Sequence, residues 1–331
     1  MKNIKSSFLW FMLVIFVCAC ADNKNKESKN EGVNLEKPLH VVFVTGDEEY
    51  RSEESMPMLA KLVKRELNAK VTVCYALDSM GIIDPNNTNH ISDLEALETA
   101  DLMVIFTRFR TLPKNERAYI TDYVESGKPI VGFRTATHTF KYENDSILTY
   151  WNNEWPTKVF GQQWITHHGH FDDGKFPVTD ITINQGQEDN PIINGFSPFV
   201  AYSWLYHVDG GDWKLYGDSQ PILMGHSTKS QHELDGNLDK FPLDNPVAWT
   251  KSYTGSSGIK ARVFFTTLGH PYDFKMPVVR KIALNGIYWA LGKEGDIPKD
   301  GSNVTLDEKF EPNNSGFGMR YKPNRKPQAI D

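Results

Sequence analysis

Five of the ten histidines, His138, His168, His170, His207 and His270, follow apolar runs or sit in the loops after them. An imidazole titrates near neutrality, so a histidine in a cleft can act as general acid or general base. Neutral imidazole is also a favoured ligand for Zn²⁺ and similar ions. His168-Gly169-His170 is a compact pair, and with His207 it makes a candidate set for a divalent metal. No HExxH or Cys/His spacing accompanies it. Two readings therefore stay open: metal ligation by His168, His170 and His207, or hydrogen-bonded histidines around a polar pocket. In the second, His138 and His270 are the acid/base candidates.

Three stretches supply the other candidates. KPIVGFRTATHTF (128–140) is an apolar run that stops in small and polar residues. Arg134 offers a planar fork for an anionic or carbonyl oxygen, and Thr135 a hydroxyl. RVFFTTLGHPYDF (262–274) ends another apolar run in Gly269-His270-Pro271 and Asp273. A Thr135–His270 hydroxyl–imidazole pair oriented by Asp273 is one arrangement; ligand binding by Arg134 is the stronger one. FVTGDEEYRSEES (43–55) places Asp47, Glu48, Glu49, Tyr50 and Arg51 after an apolar strand. Acidic groups there can accept from sugar hydroxyls or orient a histidine. Trp151, Trp155, Trp164 and Trp204 are either stacking surfaces for sugar rings or core, and Trp204 is the binding candidate.

These residues must be carried by strands whose ends share one mouth. Buried runs at 40–46, 70–76, 101–107 and 128–133 read as strands covered on both faces. Apolar residues at helical spacing predict helices at 53–67, 114–126 and 278–291. Gly127 closes the second, and Ser52 and Ser55 are N-cap candidates for the first. Short strands are expected at 178–184, 213–216, 222–225, 246–250 and 261–267. Residues 231–242 read as a polar insertion. Strands alternating with helices predict a three-layer, flavodoxin-like, doubly wound parallel α/β sheet. In that topology ligands bind beyond the carboxyl ends of the strands.

Composition is that of an ordinary globular chain, 40% hydrophobic and 24% charged. Net charge is −6, and no basic stripe marks a nucleic-acid partner. Self-association is left open. Of 3 cysteines only Cys74 lies in the body, so an internal disulfide framework is excluded there. Residues 1–20 carry Lys2 and Lys5, an apolar stretch and VCAC, which resembles a bacterial lipobox. That resemblance implies cleavage before Cys20, lipidation of its thiol and a lipoprotein anchored at the cell envelope. A polar tether (21–38), the folded body (39–293) and a surface tail (294–331) follow.

Together FVTGDEEYRSEES, GFRTATHTF, PVAWT and RVFFTTLGHPYDF with NGIYWALGKE resemble the ThuA-like family, named for trehalose utilisation. That family belongs to the class I glutamine amidotransferase-like superfamily. The resemblance spans Leu39 to Lys293 and implies a link to disaccharide or oxidised-sugar metabolism. In class I amidotransferases a cysteine sits in a Gly-x-Cys-x-Gly turn, and a late histidine activates it. Here Gly132-Phe133-Arg134-Thr135-Ala136 occupies that turn without cysteine, so glutamine hydrolysis, which needs a thiolate, is not expected. The expectation is an enzyme, a hydrolase or lyase, acting on a small carbohydrate by histidine acid/base chemistry with or without a metal. The alternative is a non-catalytic sugar-binding lipoprotein.

Overall fold

Strands buried on both faces carry no polar alternation, yet their side chains still divide by parity between two cores. The computed structural model describes residues 37–143 and 147–330, and the folded unit begins at Pro38. Cys20, the leader and the tether up to residue 36 lie outside the described residues. On one face Val41 and Phe43 of β1 (His40–Gly46), Leu102, Val104 and Phe106 of β3 (Leu102–Thr107) and Val131 and Phe133 of β4 (Ile130–Phe133) share a core. That core packs against α1 (Ser52–Leu67) and α5 (Pro277–Ala290). On the other face Val42, Val44, Met103, Ile105 and Ile130 pack against α2 (Lys114–Glu125) and α3 (Tyr150–Phe160). The result is a three-layer α/β fold.

Among the described residues nine strands form one sheet in the order β2-β1-β3-β4-β9-β8-β7-β5-β6. The remaining strands are β2 (Lys70–Cys74), β5 (Thr179–Ile183), β6 (Phe199–Ala201), β7 (Gln220–Ser227), β8 (Asp244–Thr254) and β9 (Lys260–Thr266). The first five in that order pair in parallel and have the flavodoxin-like arrangement. The other four extend the sheet by antiparallel pairs, so the sheet is mixed rather than parallel throughout. The connection from β8 to β9 is too short for a parallel crossover, which enforces this.

Several local expectations change. Residues 213–216 form bends and turns, not a strand. The N-cap of α1 is Arg51, with φ 56° and no side-chain cap, and the Ser52 hydroxyl instead accepts from Gly46 N–H at 3.1 Å. The insertion at 231–242 holds a short helix, α4 (Gln231–Leu234), capped by Ser230. Gly132 permits close packing: a Cβ there would lie 2.7 Å from Phe265 and 2.9 Å from Phe160. The C-terminal tail returns across the top of the sheet. Gly316 N–H donates to Glu49 O at 2.8 Å, and Asn313 N–H to Glu54 Oε1 at 3.2 Å.

Candidate active site

The loops after β1, β3, β4 and β9 all leave the same edge of the sheet. Their innermost residues make a sealed floor: Asp47, Arg51, Arg134, Thr135, His270 and Asp273 are each 0% exposed. Asp47 ties two of these loops together. Its Oδ1 accepts from Glu49 N–H at 2.7 Å and Tyr50 N–H at 2.8 Å, and its Oδ2 accepts from the Thr135 hydroxyl at 2.5 Å. Arg134 opens the 3-10 turn Arg134–His138 with φ 40°, a left-handed conformation that costs energy in a non-glycine residue. Its guanidinium donates to Thr267 O at 2.8 Å, to Trp204 O at 3.3 Å and to the Tyr50 hydroxyl at 3.0 Å. The Tyr50 and Tyr206 rings flank it at 4.2 and 4.5 Å. The Arg134 fork expected to hold a ligand oxygen is thus spent on the protein.

His270 lies within electrostatic reach of Arg134 at this floor, and a Cβ on the preceding Gly269 would lie 2.9 Å from the Arg134 side chain. Tyr272 N–H donates to His270 Nδ1 at 3.1 Å, which assigns the proton to Nε2, the donor to Ser315 Oγ at 2.9 Å. Burial, aided by Arg134, holds this imidazole well below its ordinary range. Asp273 does not orient it. Its carboxylate accepts from Tyr202 N–H at 2.6 Å and the Ser203 hydroxyl at 2.5 Å, and burial raises its pKa. The Ser203 oxygen in turn accepts from Gly269 and His270 N–H, both at 3.0 Å. Thr135 likewise serves Asp47, not His270.

Above the floor lies an aromatic, imidazole-rich mouth. His138 has Phe109 at 5.0 Å and Trp164 at 5.1 Å between ring centres, and its Nδ1 lies 3.1 Å from the Thr137 hydroxyl. His167 lies 4.3 Å from His170, 5.9 Å from Trp204 and 6.4 Å from Tyr206. Burial first, then neighbouring cations and imidazoles, holds His138 and His167 well below the usual histidine range. The Trp204 indole N–H is buried without a partner among the described residues.

Charge at the mouth comes from Glu48, Glu49 and Arg108. Glu48 is the shared counter-ion of Arg108 and Arg110, with Arg110 Nη2 at 2.7 Å. Arg110 is itself buried against the carbonyls of Arg108, Pro85 and Asn87. Glu49 is different. Burial pushes its carboxyl up to about 7, against the pull of Arg108, whose Nε lies 3.2 Å away. That places one acid close to neutrality, where proton transfer in either direction is cheapest.

Of the candidate metal set, His168 and His207 lie within electrostatic reach of each other, while His170 packs on Trp204. His168 Nδ1 is 2.7 Å from Ser230 Oγ, His170 is exposed beside Trp204, and His207 packs between Trp213 and Phe241. Among the described residues no group of three or more His, Cys, Asp or Glu side chains is arranged to hold a metal ion.

The trehalose utilisation family profile matches residues 40–290. The chain belongs to the ThuA family. A ThuA-like protein from Parabacteroides merdae has 16% identity and a TM-score of 0.51, covering 87% of this chain and all of its own. Another from Bacteroides uniformis has 15% identity and a TM-score of 0.47, covering 77% of this chain and 92% of its own. No curated protein matches the chain. At this identity the Parabacteroides merdae structure speaks for the fold alone. In this ThuA-family chain the motif residues Asp47, Arg134 and His270 form the framework. The groups that face the mouth come from Glu49, His138, His167, Trp204 and Arg108. Arg108 and His167 escaped notice as functional residues because neither stands in a motif stretch; the clustered THHGH run was the one signal for His167.

Proposed function

We propose that this mouth binds a small carbohydrate and transforms it by acid/base chemistry, as a hydrolase or lyase. Glu49 is the proton-transferring carboxyl. His138 and His167, kept neutral, are the imidazoles that donate to or accept from substrate oxygens. Aromatic walls at Phe109, Trp164 and Trp204 suit the apolar face of a sugar ring, and the unpartnered Trp204 N–H suits one of its hydroxyls. The family's description, trehalose utilisation, favours a disaccharide or a keto derivative of one. Glutamine hydrolysis does not fit: Arg134 stands where the thiolate is needed, and Cys74 is buried in β2 with its thiol pushed well up.

The observation that carries this reading is the carboxyl of Glu49, raised to about 7 beside Arg108 at the edge of an imidazole- and aromatic-lined mouth. Removal of a proton next to a carbonyl needs a base of this strength, with a cation near the developing oxyanion. Export through a lipidated Cys20 belongs to the same proposal and sets the protein at a membrane surface. The test is turnover of a panel of α- and β-glucosides and their keto derivatives by wild type, Glu49→Gln and His138→Ala. Turnover by wild type that drops at least about a hundredfold in Glu49→Gln is expected. Sugar binding without turnover by wild type overturns the enzyme reading and leaves a sugar-binding lipoprotein.

A further inference from the structure

A second cleft, of about 800 Å³, opens on the antiparallel half of the sheet beside β7 and β8. His207, Trp213, Lys214, Asp239, Lys240 and Asp244 contribute to its wall. It is distinct from the mouth, although the two stand back to back on one chain segment. Trp204 and Tyr206 face His167 across the mouth, and His167 pairs with Tyr206 in an isolated antiparallel bridge. The next residue, His207, lines the cleft instead, as alternation along an extended segment requires.

Two observations point to a ligand. His207 is 2% exposed, and both of its ring nitrogens lack a hydrogen-bond partner among the described residues. Burying an imidazole with neither nitrogen satisfied costs free energy, and this one lines the cavity. Above it Trp213 is 55% exposed, with its ring centre 5.2 Å from that of His207. Trp213 and its neighbour Asp212 both have left-handed backbone, φ 59° and 51°. The indole covers His207 on one side yet keeps more than half its surface in solvent, where a ligand can reach it.

The chemistry of the wall selects the class of ligand. Lys214 and Lys240 are balanced by Asp239 and Asp244, so the cleft as a whole is matched to a neutral ligand. A neutral imidazole offers one donor and one acceptor side by side, and the carboxylates accept from hydroxyls. A flat apolar platform with convergent hydroxyl-binding groups fits a pyranose ring, which has an apolar C–H face and a polar rim. We propose that this cleft is a saccharide-binding site separate from the mouth. The inference does not rest on the mouth being catalytic.

The experiment is titration of the full folded chain with methyl α-D-glucoside, methyl β-D-glucoside, maltose and trehalose, read by calorimetry and by saturation-transfer NMR. Wild type, Trp213→Ala, Lys240→Ala and, as a control at an exposed residue remote from the cleft, Met80→Ala are compared, with circular dichroism to check the fold. Trp213 and Lys240 are exposed, so their replacement does not threaten folding. At least one saccharide is expected to bind, with affinity reduced about tenfold or more in Trp213→Ala and unchanged in Met80→Ala. Binding unchanged in Trp213→Ala, binding lost equally in Met80→Ala, or no binding of any of the four sugars overturns the proposal. A mouth that turns over sugar while the cleft variants bind normally would sink this inference and leave the enzyme reading intact.

Discussion

The Ser315 hydroxyl lies 2.9 Å from Nε2 of His270, so a residue of the C-terminal tail completes the hydrogen bonding of the late imidazole. The contact spans the tail's return over the sheet edge, and Arg51 secures it by donating to Gly316 O at 2.8 Å. Ser315→Ala leaves a buried imidazole N–H unpaired, which costs roughly 1–3 kcal/mol. Urea unfolding is expected to show a lower midpoint with unchanged slope. A midpoint equal to wild type means the tail does not hold His270 in solution.

The raised carboxyl of Glu49 has a signed effect on stability. Its folded pKa of about 7 exceeds its ordinary 4.5, so the folded state binds the proton more tightly than the unfolded one. Stability from this group is complete below 4.5 and is lost as pH rises through about 7. Glu53, also raised to about 7 by burial with Arg51 opposing, acts in the same direction. Each carboxyl withdraws roughly 3 kcal/mol across that window. Between pH 4.5 and 7 Glu49→Gln is expected to lose roughly 3 kcal/mol less than wild type, the background from the histidines and Glu53 being common to both. Urea midpoints measured across this range check it; identical slopes in the two proteins refute the assignment.

The histidines pull the other way. His138, His167 and His270 are all held well below 6.5 by burial. Below 6.5 the unfolded chain takes up protons that these folded imidazoles refuse, so their contribution to stability falls as pH drops. Each costs up to about 1.4 kcal/mol per pH unit in that range. Wild type combines this with the opposite trend of the two carboxyls, so the variant that separates them is His270→Gln. It is expected to lose less stability than wild type on acidification from pH 6.5 to 5. An equal or larger loss would show that His270 titrates normally.

Sequence made the parallel half legible because its strands are uninterrupted apolar runs separated by helices of clear 3.6 periodicity. The antiparallel half was read as short strands without their pairing. The short β8–β9 connection carried that information, but β5, β6 and β7 are joined through long polar loops that hide it. Motif positions located the floor: Asp47, Arg134 and His270 converge as their stretches implied. Their roles were not legible, because burial decides them. An arginine after a strand looks like a ligand clamp until its two terminal nitrogens are seen to donate to Tyr50, Trp204 and Thr267. By sequence Glu49 is the last of three acids in a row. Only its burial beside Arg108 sets it apart from Glu48, whose charge Arg108 and Arg110 absorb.

Arg134 gives the sharpest check on the floor as a structural unit. Its fork reaches three protein acceptors at once while two tyrosine rings clamp its faces. Lysine keeps the charge but is a point donor on a flexible stem, and it cannot make that planar set of contacts. Arg134→Lys therefore strands buried carbonyls and a buried cation, at a cost of roughly 3 kcal/mol or more. A ligand-clamping arginine behaves differently: its replacement by lysine weakens sugar binding and leaves the urea midpoint close to wild type. Measuring both the midpoint and the sugar affinity of Arg134→Lys separates the two roles, and the geometry predicts that stability falls first.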